Sequence, residues 1–248
     1  MIKTFISFII FLLSIVCGYS NSPHFETGDT LYVWSVDGLL MREAPAFDSK
    51  AIKKLPYGEQ IIIIEKIDRE YEFMIADSVV RNKTTLPRVV LTGKFVKIQY
   101  SGLHGYVFDS FLSKLEPMKE DETVSEYFHR TLKLAHVIDR SRRNEEYEFE
   151  RYVYKNGVIV QRERGRENWW SRLYFIPDIS ITEGYLLVNK TTGFEKTYKH
   201  NLDEGSLSIE TLPRKFEPGE IILQTSLFSE TTIQIKSHYV VITEEGGN

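Results

Sequence analysis

The stretch "GLLMREAPAFDSKAIKKLPYGEQIIII", Gly38 to Ile64, carries the pattern that decides the fold. A short apolar run at Leu39 to Met41 meets Pro45 a few residues later. A second short segment around Ile52 and Leu55 runs into Pro56-Tyr57-Gly58, and the β-branched run Ile61 to Ile64 follows at once. Runs this short are strands, not helices. Proline limits the freedom of the first loop, and Gly58 supplies a turn conformation closed to other residues. Strands of this length joined by such tight turns suit a small barrel, whose modest core tolerates little slack in its loops.

The same grammar extends on both sides. Before the stretch, "LYVWSV" from Leu31 to Val36 alternates apolar and polar residues. After it, "GKFVKIQYSGLHGYVFDSFLSKL" from Gly93 to Leu115 reads as two strands about the turn Ser101-Gly102 with a short closing segment. Between them, Asp68 to Pro87 is charged and weakly patterned, and a long loop or an inserted hairpin is expected there. Together these features resemble the bacterial SH3 (SH3b) family over about a third of the chain. The residues that carry the likeness are Leu39, Met41, Arg42, Pro45, Ile52, Leu55, Gly58 and Ile61 to Ile64. In the closing hairpin they are Phe95, Ile98, Gly105-Tyr106-Val107 and Phe111-Leu112. The resemblance implies an SH3-like barrel over residues 28–116 that binds peptide or cell-wall components. Leu40-Met41 in place of the family's polar residue and the long insert depart from its pattern.

The second half differs in kind. In "KEDETVSEYFHRTLKLAHVIDR", Val124, Tyr127, Phe128, Thr131, Leu134, Ala135 and Ile138 follow helical spacing, with acids at the start and bases at the end, as the helix dipole favours. One amphipathic helix is therefore expected over Glu122 to Arg140. Alternating runs around Asn156-Gly157 predict a hairpin. Further strands are expected at Trp170 to Ile176, Gly184 to Asn189, Ser206 to Thr211, Ile221 to Ser226 and Thr231 to Ile242. The fold class expected is thus mainly β: a small SH3-like barrel, then an α+β domain over residues 119–243 with one amphipathic helix on an antiparallel sheet.

Composition narrows the setting. With 42% apolar and 27% charged residues, the 248-residue chain can fill a core, which excludes wholesale disorder. A formal net charge of -4 leaves no basic footprint for nucleic acid. At the N-terminus, Lys3 precedes an unbroken apolar run from Phe5 to Val16 and then small polar residues, the three-part grammar of a secretory signal peptide. Cleavage is expected after Ser20, so residues 1–20 form the signal. The apolar run is shorter than the roughly 20 residues a membrane-crossing helix requires, and no transmembrane span is expected in the mature chain. An uncleaved anchor and lipidation at Cys17 are the alternatives. The expected location is the periplasm or the cell exterior.

Cys17 is the chain's one cysteine, so cleavage beyond it leaves no thiol for disulfides or nucleophilic chemistry. No Gly-x-Ser-x-Gly elbow and no His-Glu-x-x-His motif is present, and neither catalytic residues, metal nor cofactor are expected. His129 and His136, seven apart on the expected helix, stand too far apart to share one zinc ion. In "RENWWSRLYFIPD", Trp169 and Trp170 point to opposite faces of a strand: one is expected in the core and the other at an interface. Arg162, Arg164 and Arg166 alternate along a strand, with Glu163 and Glu167 opposite. In the barrel, Trp34, Tyr106, Tyr32, Tyr100 and His104 are the candidate ligand-binding residues, because exposed aromatic clusters grip extended peptides. The leading expectation is an exported, non-enzymatic binding protein with a peptide or cell-wall ligand. An envelope assembly component, or a hydrolase using Glu210, Glu217 and His200, stands as the alternative.

Overall fold

The computed structural model describes residues 25–81, 83–141, 146–203 and 211–247. The signal segment expected over residues 1–20, with Cys17 in it, lies outside the described residues. The protein is mainly β, with curled antiparallel sheets that include a half-barrel and a further sheet.

The half-barrel contains seven strands: β1 (Thr30–Val33), β2 (Leu39–Arg42), β3 (Ala51–Leu55), β4 (Gln60–Ala76), β7 (Val89–Tyr100), β8 (Leu103–Phe108) and β9 (Leu112–Ser113). Their order is β3-β2-β8-β7-β4-β1-β9. Leu31, Val33, Met41, Leu55, Ile61, Ile63, Ile98 and Val107 fill the interior, each at most 1% exposed. Gly58 has φ +80°, and a Cβ there would meet Pro117 at 3.3 Å, so the turn fixes both the strand reversal and the exit of the chain.

Of the long loop or inserted hairpin expected over Asp68–Pro87, it is the hairpin that forms. β4 continues through this insert to Ala76 and pairs with β7 across several bulges, after which β5 (Val79–Arg81) and β6 (Thr84–Leu86) form a hairpin. The charged residues obscured the strand because they face solvent. Tyr71 and Phe73 from this extension join Phe47, Phe95 and Phe108, with ring centroids 5.0–6.2 Å apart. Such tilted and edge contacts stabilise aromatic clusters beyond their buried area.

The second sheet has eight antiparallel strands: β10 (Leu134–Asp139), β11 (Glu148–Tyr154), β12 (Ile159–Arg164), β13 (Trp170–Pro177), β14 (Leu212–Glu217), β15 (Glu220–Ser226), β16 (Ser229–Lys236) and β17 (Tyr239–Gly246). The order is β10-β11-β12-β13-β17-β16-β15-β14, two four-strand meanders joined where β13 pairs with β17. The hairpin at Asn156-Gly157 forms as expected, with Gly157 at φ +88°.

Among the described residues three α-helices stand where one was expected. α1 spans only Val124–Thr131, held by a reciprocal capping box between Thr123 and Glu126. The rest of the expected helix is strand β10, because pairing with β11 satisfies its backbone. The segment Gly184 to Asn189 is not a strand but lies inside α2 (Ile181–Thr192). Ser180 and Glu183 cap that helix reciprocally, and Gly193, at φ +63°, ends it. α3 (Phe194–Asp203) follows. Of the strand expected over Ser206 to Thr211, residues 206–210 lie outside the described ones and Thr211 is a bend. The single strand expected over Thr231 to Ile242 is the β16–β17 pair.

The two sheets share one continuous core. Trp34 leaves the half-barrel to meet the Tyr127 ring edge-on at 6.4 Å. Ser113 Oγ donates to the buried Glu183 carboxylate at 2.6 Å. Among the described residues no helix is long and apolar enough to cross a membrane.

Candidate functional site

The five candidate residues of the barrel differ in burial and in the face they occupy. Trp34 is 1% exposed, and its indole N–H donates to the Leu115 carbonyl at 2.9 Å; it is a core residue and cannot line a groove. Tyr32, Tyr100 and Tyr106 are partly buried against the core. Tyr100 lies under the Lys53 ammonium at 4.7 Å, and Tyr106 lies 5.8 Å from that of Lys97. In the β7–β8 register Tyr106 pairs with Lys97 and His104 with Gln99, so these two share one face while Tyr100 belongs to the other. None of the five lines a cavity described below.

The open site lies on the second sheet. Its inner face carries a row in register, Val160–Tyr174–Ile242–Ile233–Ile221, which the helices cover. Phe128 of α1 meets Tyr174 at 6.3 Å. Gly184 lets α2 approach the sheet, since a Cβ there would stand 2.9 Å from Val240 and 3.0 Å from Ile233. The next row on the same face is polar: Glu150–Arg162–Arg172–Glu244–Thr231. Beyond it runs Glu148–Arg164–Trp170–Gly246. Three adjoining cavities of about 820, 630 and 440 Å³ open over these rows, and Trp170 and Arg172 line all three.

Trp170 is seated by its neighbour. A Cβ at Gly246 would lie 2.7 Å from the indole ring, so glycine there lets the ring lie on the strand. The Arg172 guanidinium sits 4.9 Å from the Trp170 ring and 3.8 Å from Glu244. Burial pushes the Glu244 carboxyl up from its ordinary pKa, against the Arg172 charge and the hydrogen bond that Tyr174 donates at 3.1 Å. Arg162 donates to Ser125 Oγ at the start of α1 and lies 5.7 Å from the Tyr152 ring. Its Nε is buried without a hydrogen-bond partner. Arg162 and Arg172 are direct cross-strand neighbours, an arrangement of like charges that costs stability.

Charge changes sign across this floor. Asp139, Glu148 and Glu150 come from β10 and β11, while Arg162, Arg164 and Arg172 come from β12 and β13. Such a surface can hold a ligand that carries both an ammonium and a carboxylate group, with a flat or apolar part against Trp170.

Several sequence expectations change here. Neither tryptophan of the Trp169-Trp170 pair is core: Trp169 is 41% exposed and Trp170 half-buried. Arg162 and Arg164 share the inner face, with Glu163 on the other. Arg166 follows in a short turn at the cavity's rim, and the side chain of Glu167 lies outside the described ones. His129 and His136 do not share a helix. His129 Nδ1 lies 2.8 Å from the Ser125 carbonyl and 2.9 Å from Tyr154 Oη, whereas His136 is on β10. Glu217 pairs with Lys215 at 3.1 Å, and Glu210 lies outside the described residues. Among the described residues no group of three or more His, Cys, Asp or Glu could hold a metal ion.

Glu148, Glu150, Arg172 and Glu244 were missed by sequence reasoning. The alternation in "EYEFERYVY" was visible, but which residues of β13 and β17 would stand beside it was not. Compared with known proteins, the chain matches no family model, and no curated protein and no solved structure is significantly similar to it.

Proposed function

We propose that the chain is an exported, non-enzymatic binding protein whose second sheet grips a peptide or a cell-wall component on its inner face. The observation that carries this reading is the floor where Trp170 and Arg172 join three cavities, with Arg162, Arg164 and Arg172 standing between the carboxylates of β10 and β11 and Glu244 of β17. A peptide offers complementary charges and flat amide groups to such a floor. On this reading the half-barrel, which resembles bacterial SH3 domains, braces α1 and α2 against the sheet.

The mature chain, residues 21–248, is to be tested on purified peptidoglycan and on peptide arrays. Trp170→Ala and the pair Arg164→Ala/Arg172→Ala are expected to weaken retention at least about tenfold, or ~1.4 kcal/mol, with the circular dichroism spectrum unchanged. Folded protein that is retained on neither support ends the proposal.

One observation favours a second reading, a component of an envelope assembly. β10 is an open sheet edge with Leu134 42% and Val137 47% exposed, and such an edge can pair with another chain. Crosslinking in the envelope fraction through a residue of β10 would support it over ligand binding alone.

A further inference from the structure

The opposite face of the second sheet carries an apolar patch that the reading above does not use. The β15–β16 turn exposes Leu227 (48%) and Phe228 (60%), and Trp169 is exposed beside them. The Gly247 N–H donates to the Phe228 carbonyl at 3.4 Å, tying this turn to the end of β17. The three side chains line a cavity of about 410 Å³ together with Glu230, Glu245 and Arg214. Glu230 and Glu245 face each other directly across β16 and β17. Neither carboxylate has an ion-pair partner among the described residues. Arg214, the basic residue of the cavity, donates instead to Gln224.

Two features together define what fits. Opposed carboxylates repel and gain from a cation placed between them. Exposed aromatic faces attract a cation through their quadrupole, and most strongly when it is an organic ammonium whose alkyl part they also desolvate. An anionic bilayer, the other usual occupant of an exposed Phe–Leu–Trp tip, would be repelled by the same carboxylates. We infer that this patch is a docking site for an alkylammonium group, such as the side chain of a lysine on a partner peptide, held by Trp169 and Phe228 against Glu230 and Glu245.

The inference is independent of the inner face, because Trp169 and Trp170 point to opposite sides of the sheet. The test is NMR titration of the full mature chain with N-acetyl-lysine methylamide and, in parallel, with its uncharged Nε-acetyl analogue. Only the charged probe should shift the Trp169 indole signal. Glu230→Gln/Glu245→Gln should weaken its binding at least tenfold, and Phe228→Ala should weaken it comparably. Trp170→Ala should leave it unchanged, which separates failure here from failure of the inner-face reading. Equal shifts with the uncharged analogue, or unchanged binding by the double glutamine variant, would overturn the inference. So would binding to phosphatidylglycerol vesicles that is unaffected or strengthened by that variant, since the patch would then be a membrane contact.

Discussion

Asp109 sits in a short helical turn after β8, 4% exposed, and its Oδ1 accepts from the Lys94 amide at 2.7 Å. Burial pushes its pKa up to about 7 despite that hydrogen bond and the nearby Lys94 charge. A folded-state pKa above the unfolded value means the protonated acid is the form the fold prefers. Its contribution is therefore fully present below about pH 4, the unfolded carboxyl's range, and is lost as pH rises through about 7. Asp109→Asn keeps the acceptor and removes the charge. The stability of this variant relative to wild type, measured by urea unfolding, is expected to rise by a few kcal/mol between pH 4 and pH 8. A difference independent of pH would show that Asp109 is not strained as a carboxylate. Gly93 shares the same crowding: a Cβ there would lie 2.3 Å from Asp109 Oδ1, so the carboxyl is packed against backbone and has little room to rehydrate.

α2 shows how one side chain can serve a helix and an interface together. Glu183 accepts from the Ser180 amide at 2.9 Å and the Ser180 hydroxyl at 3.0 Å, closing the capping box, and from the Ser113 hydroxyl of β9 at 2.6 Å. Burial raises its pKa against these three donors. Glu183→Ala strands those donors in the interior and should cost roughly 2–3 kcal/mol in thermal or denaturant unfolding. Glu183→Gln retains acceptor oxygen and removes the desolvated charge, so it should recover most of that loss at neutral pH. Equal losses in both variants would mean the charge itself is required. Part of this element was legible in the sequence, since Ser180-Ile181-Thr182-Glu183 before an apolar run and Gly193 after it are helix start and stop signals. The strand expected over Gly184 to Asn189 made no use of these signals, because Tyr185, Leu186, Leu187 and Val188 suit a strand as well as a helix in isolation. At α1 the opposite error arose: helical spacing continued past Thr131, but β11 offered the backbone a partner.

At the scale of the molecule, the half-barrel and the second sheet are fastened by Trp34 against Tyr127 and by Ser113 on Glu183. Lys190 adds to the joint, 4.8 Å from the Tyr57 ring. Gly58 packs against Pro117 where the chain passes from one sheet to the next. A core that crosses the boundary makes the halves unfold together. Calorimetry of residues 21–248 should give a single transition with equal calorimetric and van't Hoff enthalpies. A fragment ending at residue 116 should lack a cooperative transition, because it exposes Trp34 and loses the partner of Ser113. A fragment that melts cooperatively at the temperature of the whole chain would show the joint to be dispensable.

The sequence by itself determined the mainly β character, the tight turns at Gly58, Ser101-Gly102 and Asn156-Gly157, and the alternation of Arg162 and Arg164. These are local properties, set by backbone sterics and by the two-residue period of a strand. Which aromatic residues would be buried, how far β4 would run, and where the charged floor would form were decided only by the tertiary structure. Burial and cross-strand neighbours depend on which distant segments pair, and Trp170 acquires its seat only once Gly246, seventy-six residues later, lies beside it in the sheet.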